Sequence, residues 1–157
     1  METSQACPSS IRDALQAARA HLGADAAAGK LEPALEAGAI IGALTANQEL
    51  ALALLARAAV RAQLVATEDL AGVVGAPAAQ IATALVRLGS LGLPRDWSPA
   101  DGLDTPQTET LRKMLLAVVS DPRLVLARLA EELVALRHAR GLTAAERGRR
   151  ALEARAV

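Results

Sequence analysis

The sequence has almost no aromatic residues: one tryptophan and no phenylalanine or tyrosine among 157 residues. Its core must therefore come from the aliphatic residues that dominate the 52% hydrophobic content. Alanine and leucine are the strongest helix formers, whereas the β-branched and aromatic residues that strands favour are scarce here. This composition argues against a β-sheet and predicts an all-α fold.

Other absences narrow the class of protein. The only cysteine, Cys7, cannot form an internal disulfide, which indicates a reducing compartment and predicts a cytoplasmic protein. No uncharged apolar run reaches the ~18 residues that a membrane-spanning helix needs, and the polar N-terminus is unlike a secretory signal. Basic and acidic residues number 17 each, so no overall charge attracts the chain to nucleic acid or to a membrane.

Capping residues and turn residues divide the first third of the chain into helices. Ser10 and Asp13 have the spacing of a capping box, at the start of a helix that runs to His21. Residues 23–30 are predicted to form a loose connection. Pro33 suits the first position of the next helix.

The middle of the chain has equally clear signals. Asn47 is a candidate N-cap for a strongly apolar helix. Thr67–Asp69 predicts a short helix that ends at Gly75, and Pro77 opens a longer one that ends near Gly89. Residues 89–106 are rich in glycine and proline and predict one long loop with a tendency to disorder, in which Trp97 acts as a local clamp.

The clearest helical periodicity follows this loop. One apolar stripe consists of Leu111, Met114, Leu115, Val118 and Val119. Asp121–Pro122 predicts the start of the next helix, on which one face carries Leu126, Leu129, Leu133 and Leu136. Thr143 and Glu146 form a second capping box before a last helix. We therefore expect about seven or eight helices in a single domain, residues 1–157.

The segment 110–137 resembles the N-terminal domain of the RelA/SpoT family, bacterial enzymes that make or degrade the alarmone (p)ppGpp. Its Leu-Arg-Lys-Met-Leu-Leu-Ala-Val-Val run, Asp121 and the following Leu-Ala-Glu-Glu-Leu run match the family pattern. Upstream, Val65-Ala-Thr-Glu-Asp-Leu is similar to the family's Val-Thr-x-Glu-Asp-Ile. The likeness covers roughly residues 32–150, and it implies an HD-domain-like helical bundle.

In bifunctional members, the family's domain holds manganese through a His, a His-Asp pair and a later Asp, and the metal activates water for phosphohydrolysis. The corresponding positions in this chain are Glu32, Arg57 with Ala58, and Glu131. A guanidinium at Arg57 would repel a divalent cation at short range. The resemblance therefore implies that no metal and no cofactor is bound.

The catalytic positions are also replaced. The family's Glu-Asp pair corresponds to Arg61 and Ala62, and its nucleotide-contacting Asn corresponds to Ala135. Three placements remain open for the guanidiniums of Arg57 and Arg61: pairing with Glu32 or Glu131 in the former metal pocket, exposure to solvent, or binding of an anion.

These replacements are similar to the monofunctional RelA-type branch. We therefore expect a catalytically inactive N-terminal part of a GTP pyrophosphokinase, with the synthetase domain of the same polypeptide as its partner. The ribosome would be contacted only through other domains. Two alternatives stay open: a residual metal-dependent nucleotide phosphohydrolase that uses Glu32 and Glu131, and a stand-alone helical interaction module, with dimerisation through its Ala/Leu faces as one form.

Three further features have structural explanations. His21 and His138, the only imidazoles, are expected at the surface or at its boundary rather than in a metal site with Cys7. Gly38 and Gly42 have the spacing of a close-packing motif. A basic cluster near the C-terminus is interleaved with glutamates and has no aromatic residue to stack bases, so nucleic-acid binding is not expected. Its members are Arg137, His138, Arg140, Arg147, Arg149, Arg150 and Arg155.

Overall fold

The computed structural model describes residues 7–90 and 121–139, together with positions 106, 108, 109, 112, 113 and 116. Within these residues the α-helices are α1 (Ser9–His21), α2 (Ala24–Thr45), α3 (Gln48–Arg61), α4 (Leu70–Val74), α5 (Ala76–Ser90) and α6 (Arg123–His138). A 3-10 turn, Thr67–Asp69, leads into α4. No strand occurs in this part of the chain, so the predicted all-α fold is confirmed. The predicted total of seven or eight helices refers to the whole chain.

Helix α3 lies at the centre of the bundle. Residues 50–57 are buried without interruption, whereas a surface helix would show a single apolar stripe. The other five helices all contact α3, and its many alanines allow them to approach closely. Among the described residues, no helix is long and apolar enough to cross a bilayer.

Several helix boundaries follow the capping signals. The Oδ1 of Asn47 accepts a hydrogen bond from the Leu50 amide at 2.9 Å, as expected for an N-cap. Gly75, with φ of 83°, ends α4 in a conformation that favours glycine. Helix α5 includes Gly89 and Ser90, so the predicted loop at 89–106 is wrong at its start. Residues 91–105, including Trp97, lie outside the described residues.

Two predictions about the first helices are wrong. The amides of Ile11 and Arg12 bond to the Pro8 carbonyl, both at 3.1 Å, and α1 has no side-chain cap, so the Ser10 capping box is not formed. Helix α2 begins at Ala24, so residues 23–30 are not a connection and Pro33 lies inside the helix. The reason is the alanine content of this stretch, since alanine stabilises a helix strongly enough to offset the effect of the glycine and the proline.

Helix α6 begins one residue later than predicted. Pro122 occupies the N-cap position, and Oδ1 of Asp121 accepts a hydrogen bond from the Arg123 amide at 3.1 Å. The residues that α6 buries are Leu124, Ala127, Ala130 and Val134. The four leucines that share another face of α6 are exposed. The predicted apolar stripe at Leu111–Val119 and the capping box at Thr143 lie outside the described residues.

The predicted close packing at Gly38 and Gly42 is confirmed. A Cβ atom at Gly38 would lie 3.1 Å from the Ala51 carbonyl oxygen on α3 and 3.2 Å from the Leu15 side chain on α1. At Gly42 it would lie 2.7 Å from the Cys7 sulfur. Helix α2 therefore uses its glycine face to pack against α1 and α3 at once.

This packing yields a stability prediction. Gly38→Ala should destabilise the fold by about 1–3 kcal/mol, because the backbone oxygen of Ala51 cannot move away as a flexible side chain can. The matched control is Gly29→Ala on the same helix, where a Cβ would meet nothing within 4 Å. That variant should gain up to ~1 kcal/mol from helix propensity. Urea denaturation measures both, and equal effects would contradict the packing role of Gly38.

Candidate functional site

Among the described residues, Arg57 is the one buried side chain that carries a charge, with 4% of its surface exposed. It lies near the end of α3, where the surrounding helices close over it. A guanidinium in such a place has lost its hydration, which costs several kcal/mol unless a carboxylate compensates. The partners of Arg57 therefore determine what this place can do.

The compensating carboxylate comes from α6. Nη1 of Arg57 donates a hydrogen bond to Oε1 of Glu131, across 74 positions of sequence. Arg128 donates to the other oxygen of Glu131 at 3.0 Å and to Glu132 at 3.3 Å. We call these four side chains, Arg57, Arg128, Glu131 and Glu132, the ion-pair cluster. The Nε of Arg57 is buried without a hydrogen-bond partner.

Helix α5 provides room for the guanidinium of Arg57. A Cβ atom at Gly89 would lie only 2.8 Å from Nη2 of Arg57. Because Gly89 has no side chain, the α5 backbone can approach the guanidinium closely. Three helices, α3, α5 and α6, thus meet at one side chain.

The electrostatics of the cluster follow from burial and from charge. Burial lowers the pKa of Arg57, and the nearby guanidiniums of Arg128 and Arg61 act in the same direction. The Glu131 carboxylate opposes this shift through its charge and its hydrogen bond. An arginine in a protein nevertheless keeps its proton near neutral pH. Arg57 is thus a permanent cation at the place where α3, α5 and α6 meet.

Glu131 is the predicted site residue that pairs with Arg57, and the other predicted site residues do not pair with it. Glu32 is exposed, and its Oε1 forms an ion pair with Nη2 of Arg19 on α1 at 2.9 Å. Arg61 is also exposed at the end of α3. Of the placements left open by the sequence, pairing with Glu131 therefore holds for Arg57, and solvent exposure holds for Arg61. The methyl groups at the remaining positions are half-buried and offer no ligand atom: Ala58, Ala62 and Ala135.

One further contact was missed by sequence reasoning. The carboxylate of Glu36 on α2 accepts hydrogen bonds from Arg137 at 3.1 Å and from His138 at 2.8 Å. The two basic residues form the last turn of α6, so this contact joins the end of α6 to α2. The only available signal was the run of basic residues at a helix end, where they are commonly found. His21 is exposed on α1, and the other members of the basic cluster lie outside the described residues.

The side chains around Arg57 do not fit a divalent metal ion. The guanidinium of Arg57 fills the space beside Glu131. The carboxylate of Glu131 is already shared between Arg57 and Arg128. Within residues 7–90, 121–139 and the six isolated positions, no group of three or more His, Cys, Asp or Glu residues could hold a metal. The arrangement ties helices together and offers no Lewis acid to a substrate.

The comparison with protein families agrees with this bundle of helices. The model of the HD domain family matches residues 13–157. The chain belongs to the HD domain family. The predicted HD-domain-like fold is thereby confirmed. No curated protein and no solved structure matches the chain.

The ion-pair cluster of this HD domain generates a prediction on stability. Glu131→Gln should cost about 3 kcal/mol of unfolding free energy, because it leaves a buried guanidinium without its counter-charge. Arg57→Met should cost less, since Glu131 keeps Arg128 as its partner. The double variant Arg57→Met with Glu131→Gln should be no less stable than Arg57→Met alone. Chemical denaturation of the three variants measures these differences.

The matched control is Glu132→Gln, one residue further along the same helix. Glu132 contacts Arg128 but not Arg57, so its loss should cost less than about 1 kcal/mol. Equal destabilisation by Glu131→Gln and Glu132→Gln would show that the charge on Arg57 needs no specific partner.

The Glu36 contact generates a prediction on pH. The hydrogen bond from His138 lowers the pKa of Glu36, and Arg137 adds to this. A lowered pKa means that the carboxylate form is favoured by folding, so its contribution is present above the unfolded-state pKa and is lost as the pH falls through the folded-state pKa. Because both basic side chains are more than half exposed, we expect only about 0.5–1 kcal/mol.

The measurement compares wild type with Glu36→Gln in urea. The difference in unfolding free energy should be present in full above pH 4.5, the ordinary pKa of a glutamate, and it should be lost as the pH falls below this value through the lowered pKa of the folded state. A difference that stays constant down to pH 3 would mean that the carboxylate charge contributes nothing.

Proposed function

We propose that this HD domain is catalytically inactive and serves as a structural and regulatory module of a RelA-like (p)ppGpp synthetase. The observation that carries the proposal is the ion pair between the buried Arg57 and the half-buried Glu131. In the family that the sequence resembles, these two positions hold a manganese ion. Here a guanidinium takes the place of the cation, and one carboxylate remains as its counter-ion.

The catalytic groups support the same proposal. Arg61 and Ala62 stand where the resemblance implies a Glu-Asp pair, and neither can act as a general base. Ala135 stands where an Asn contacts the nucleotide. The hydrolysis of a pyrophosphate needs an activated water, and the residues that the structure describes include no metal-binding group with which to lower the pKa of that water.

A regulatory role agrees with the way the cluster is built. A metal site is filled or empty depending on the metal concentration, whereas a covalently attached guanidinium is always present. The contacts that Arg57 makes between α3, α5 and α6 therefore need no ligand. A domain of this kind acts by docking on a neighbouring domain and biasing its conformations. On this proposal its partner is the synthetase domain of the same cytoplasmic polypeptide, and other domains contact the ribosome.

A stand-alone interaction module is the second candidate, and the exposed leucines of α6 favour it. The remaining alternative, a residual metal-dependent phosphohydrolase, would need Glu32 and Glu131 at one ion. These two carboxylates are held in separate ion pairs, the first with Arg19 and the second with Arg57 and Arg128.

Incubation with ppGpp and Mn²⁺ tests the inactivity of the chain. We expect no release of 3′-pyrophosphate and no stoichiometric manganese, iron or zinc in the purified protein. The matched variant restores the implied ligands through Glu32→His, Arg57→His, Ala58→Asp and Glu131→Asp. Equilibrium dialysis should then show bound Mn²⁺, provided that circular dichroism shows native helicity.

Two results would oppose the proposal. Release of pyrophosphate by the native chain would show that the hydrolase is active. A natively helical restored variant that holds no Mn²⁺ would mean that the four positions do not form the former metal site.

The reading frame after Val157 tests the regulatory part. The proposal expects it to continue into a pyrophosphokinase domain. A stop codon directly after Val157 would exclude the synthetase partner and favour the stand-alone module.

A further inference from the structure

Helix α6 presents four leucines on a face that does not pack against the core. Their exposed fractions lie between 41% and 49%. We call this face the leucine stripe, and it consists of Leu126, Leu129, Leu133 and Leu136. Contiguous exposed apolar residues are unfavourable in water and commonly mark a surface that binds another protein.

The spacing of the leucine stripe indicates the kind of partner. Successive leucines are three, four and three residues apart, which is the alternation of the a and d positions of a heptad repeat. Such a seam packs against a second helix with the same spacing. A second copy of α6 supplies that helix. We propose that the chain forms a parallel dimer through the leucine stripe, independently of whether it hydrolyses a nucleotide.

The charges beside the stripe select this partner and its direction. With Leu126 at position a, Glu132 occupies g and Arg137 occupies e of the following heptad. In a parallel pair these positions face each other, so Glu132 of each copy lies opposite Arg137 of the other, and the two-fold axis forms the ion pair twice. The Arg137 side chain is 55% exposed and uses Nη1 for Glu36, which leaves other N–H groups for a second carboxylate. The Glu132 side chain is 16% exposed and its Oε1 accepts a hydrogen bond from Arg128, so Oε2 is the oxygen that remains for Arg137 of the other copy.

The antiparallel arrangement fails the same charge comparison. With the four leucines in register, g positions would face g positions, and Glu132 would lie opposite Glu132 of the other copy. Like charges placed opposite each other oppose association. The dimer is therefore parallel.

Sedimentation of the complete chain over a wide concentration range tests the dimer. We expect a reversible equilibrium between the mass of one chain and twice that mass. Leu129→Glu with Leu133→Glu should remain monomeric at every concentration. The matched control is Leu44→Glu, because Leu44 is 68% exposed on α2 and lies outside the stripe. This control should dimerise as the wild type does, and circular dichroism should show that both variants keep their helicity.

A cross-link tests the direction without disturbing the charges. In a Cys7→Ser background, Leu136→Cys should form an interchain disulfide on mild oxidation, because a parallel pair brings the same position of both helices together. In the antiparallel arrangement the two sulfurs would be ten residues apart along the axis, or ~15 Å. A dimer that does not form this disulfide would contradict the parallel arrangement.

Other outcomes overturn the dimer itself. A wild-type chain that stays monomeric at all concentrations contradicts it, and an introduced thiol that does not react with a thiol reagent would then show that the chain's own residues cover the stripe. A dimer that persists in Leu129→Glu with Leu133→Glu would place the interface elsewhere.

Discussion

The ion pair between Arg57 and Glu131 is the constraint on which the centre of this domain depends. Helix α3 is covered by its neighbours along residues 50–57, so a charge at position 57 cannot reach bulk water. The guanidinium therefore requires a carboxylate on α6 and room beside the backbone of α5. Glu131 and Gly89 meet these two requirements. Three distant positions of the sequence are thus coupled through the desolvation of one side chain.

A covalently attached cation has a different physical character from a bound metal ion. The stability that a bound metal adds to a fold rises with the logarithm of the free metal concentration above its Kd, and it falls when protons compete for the ligands. A guanidinium is present at fixed stoichiometry and stays charged near neutral pH. Replacing the first by the second removes Lewis-acid chemistry and keeps a cation between the helices. A cation that is always present and is not a Lewis acid suits a structural role better than a catalytic one.

The sequence predicted those features that depend on one residue and its immediate neighbours. The N-cap at Asn47 and the end of α4 at Gly75 are local, whereas the pairing of Arg57 with Glu131 was one of three placements that the sequence left open. The start of α2 was missed, because Gly23, Gly29 and Pro33 were given more weight than the alanines between them. The contact of Glu36 with Arg137 and His138 depends on how α2 and α6 are placed, which no local pattern contains.

Helix α6 shows why periodicity alone does not reveal the inward face. The four leucines form its longest apolar stripe, yet the helix buries Ala127 and Ala130, whose small size allows the helices beside α6 to approach closely. Glu131 lies between Leu129 and Leu133 in sequence, but its side chain points inward to the guanidinium of Arg57. Because Arg57 is buried, this contact exists only while Glu131 faces the core. Rotating α6 to bury the leucines would therefore break the central ion pair. The ion pair between Arg57 and Glu131 thus keeps the leucine stripe at the surface. The free energy of burying these leucines is left for association with another helix.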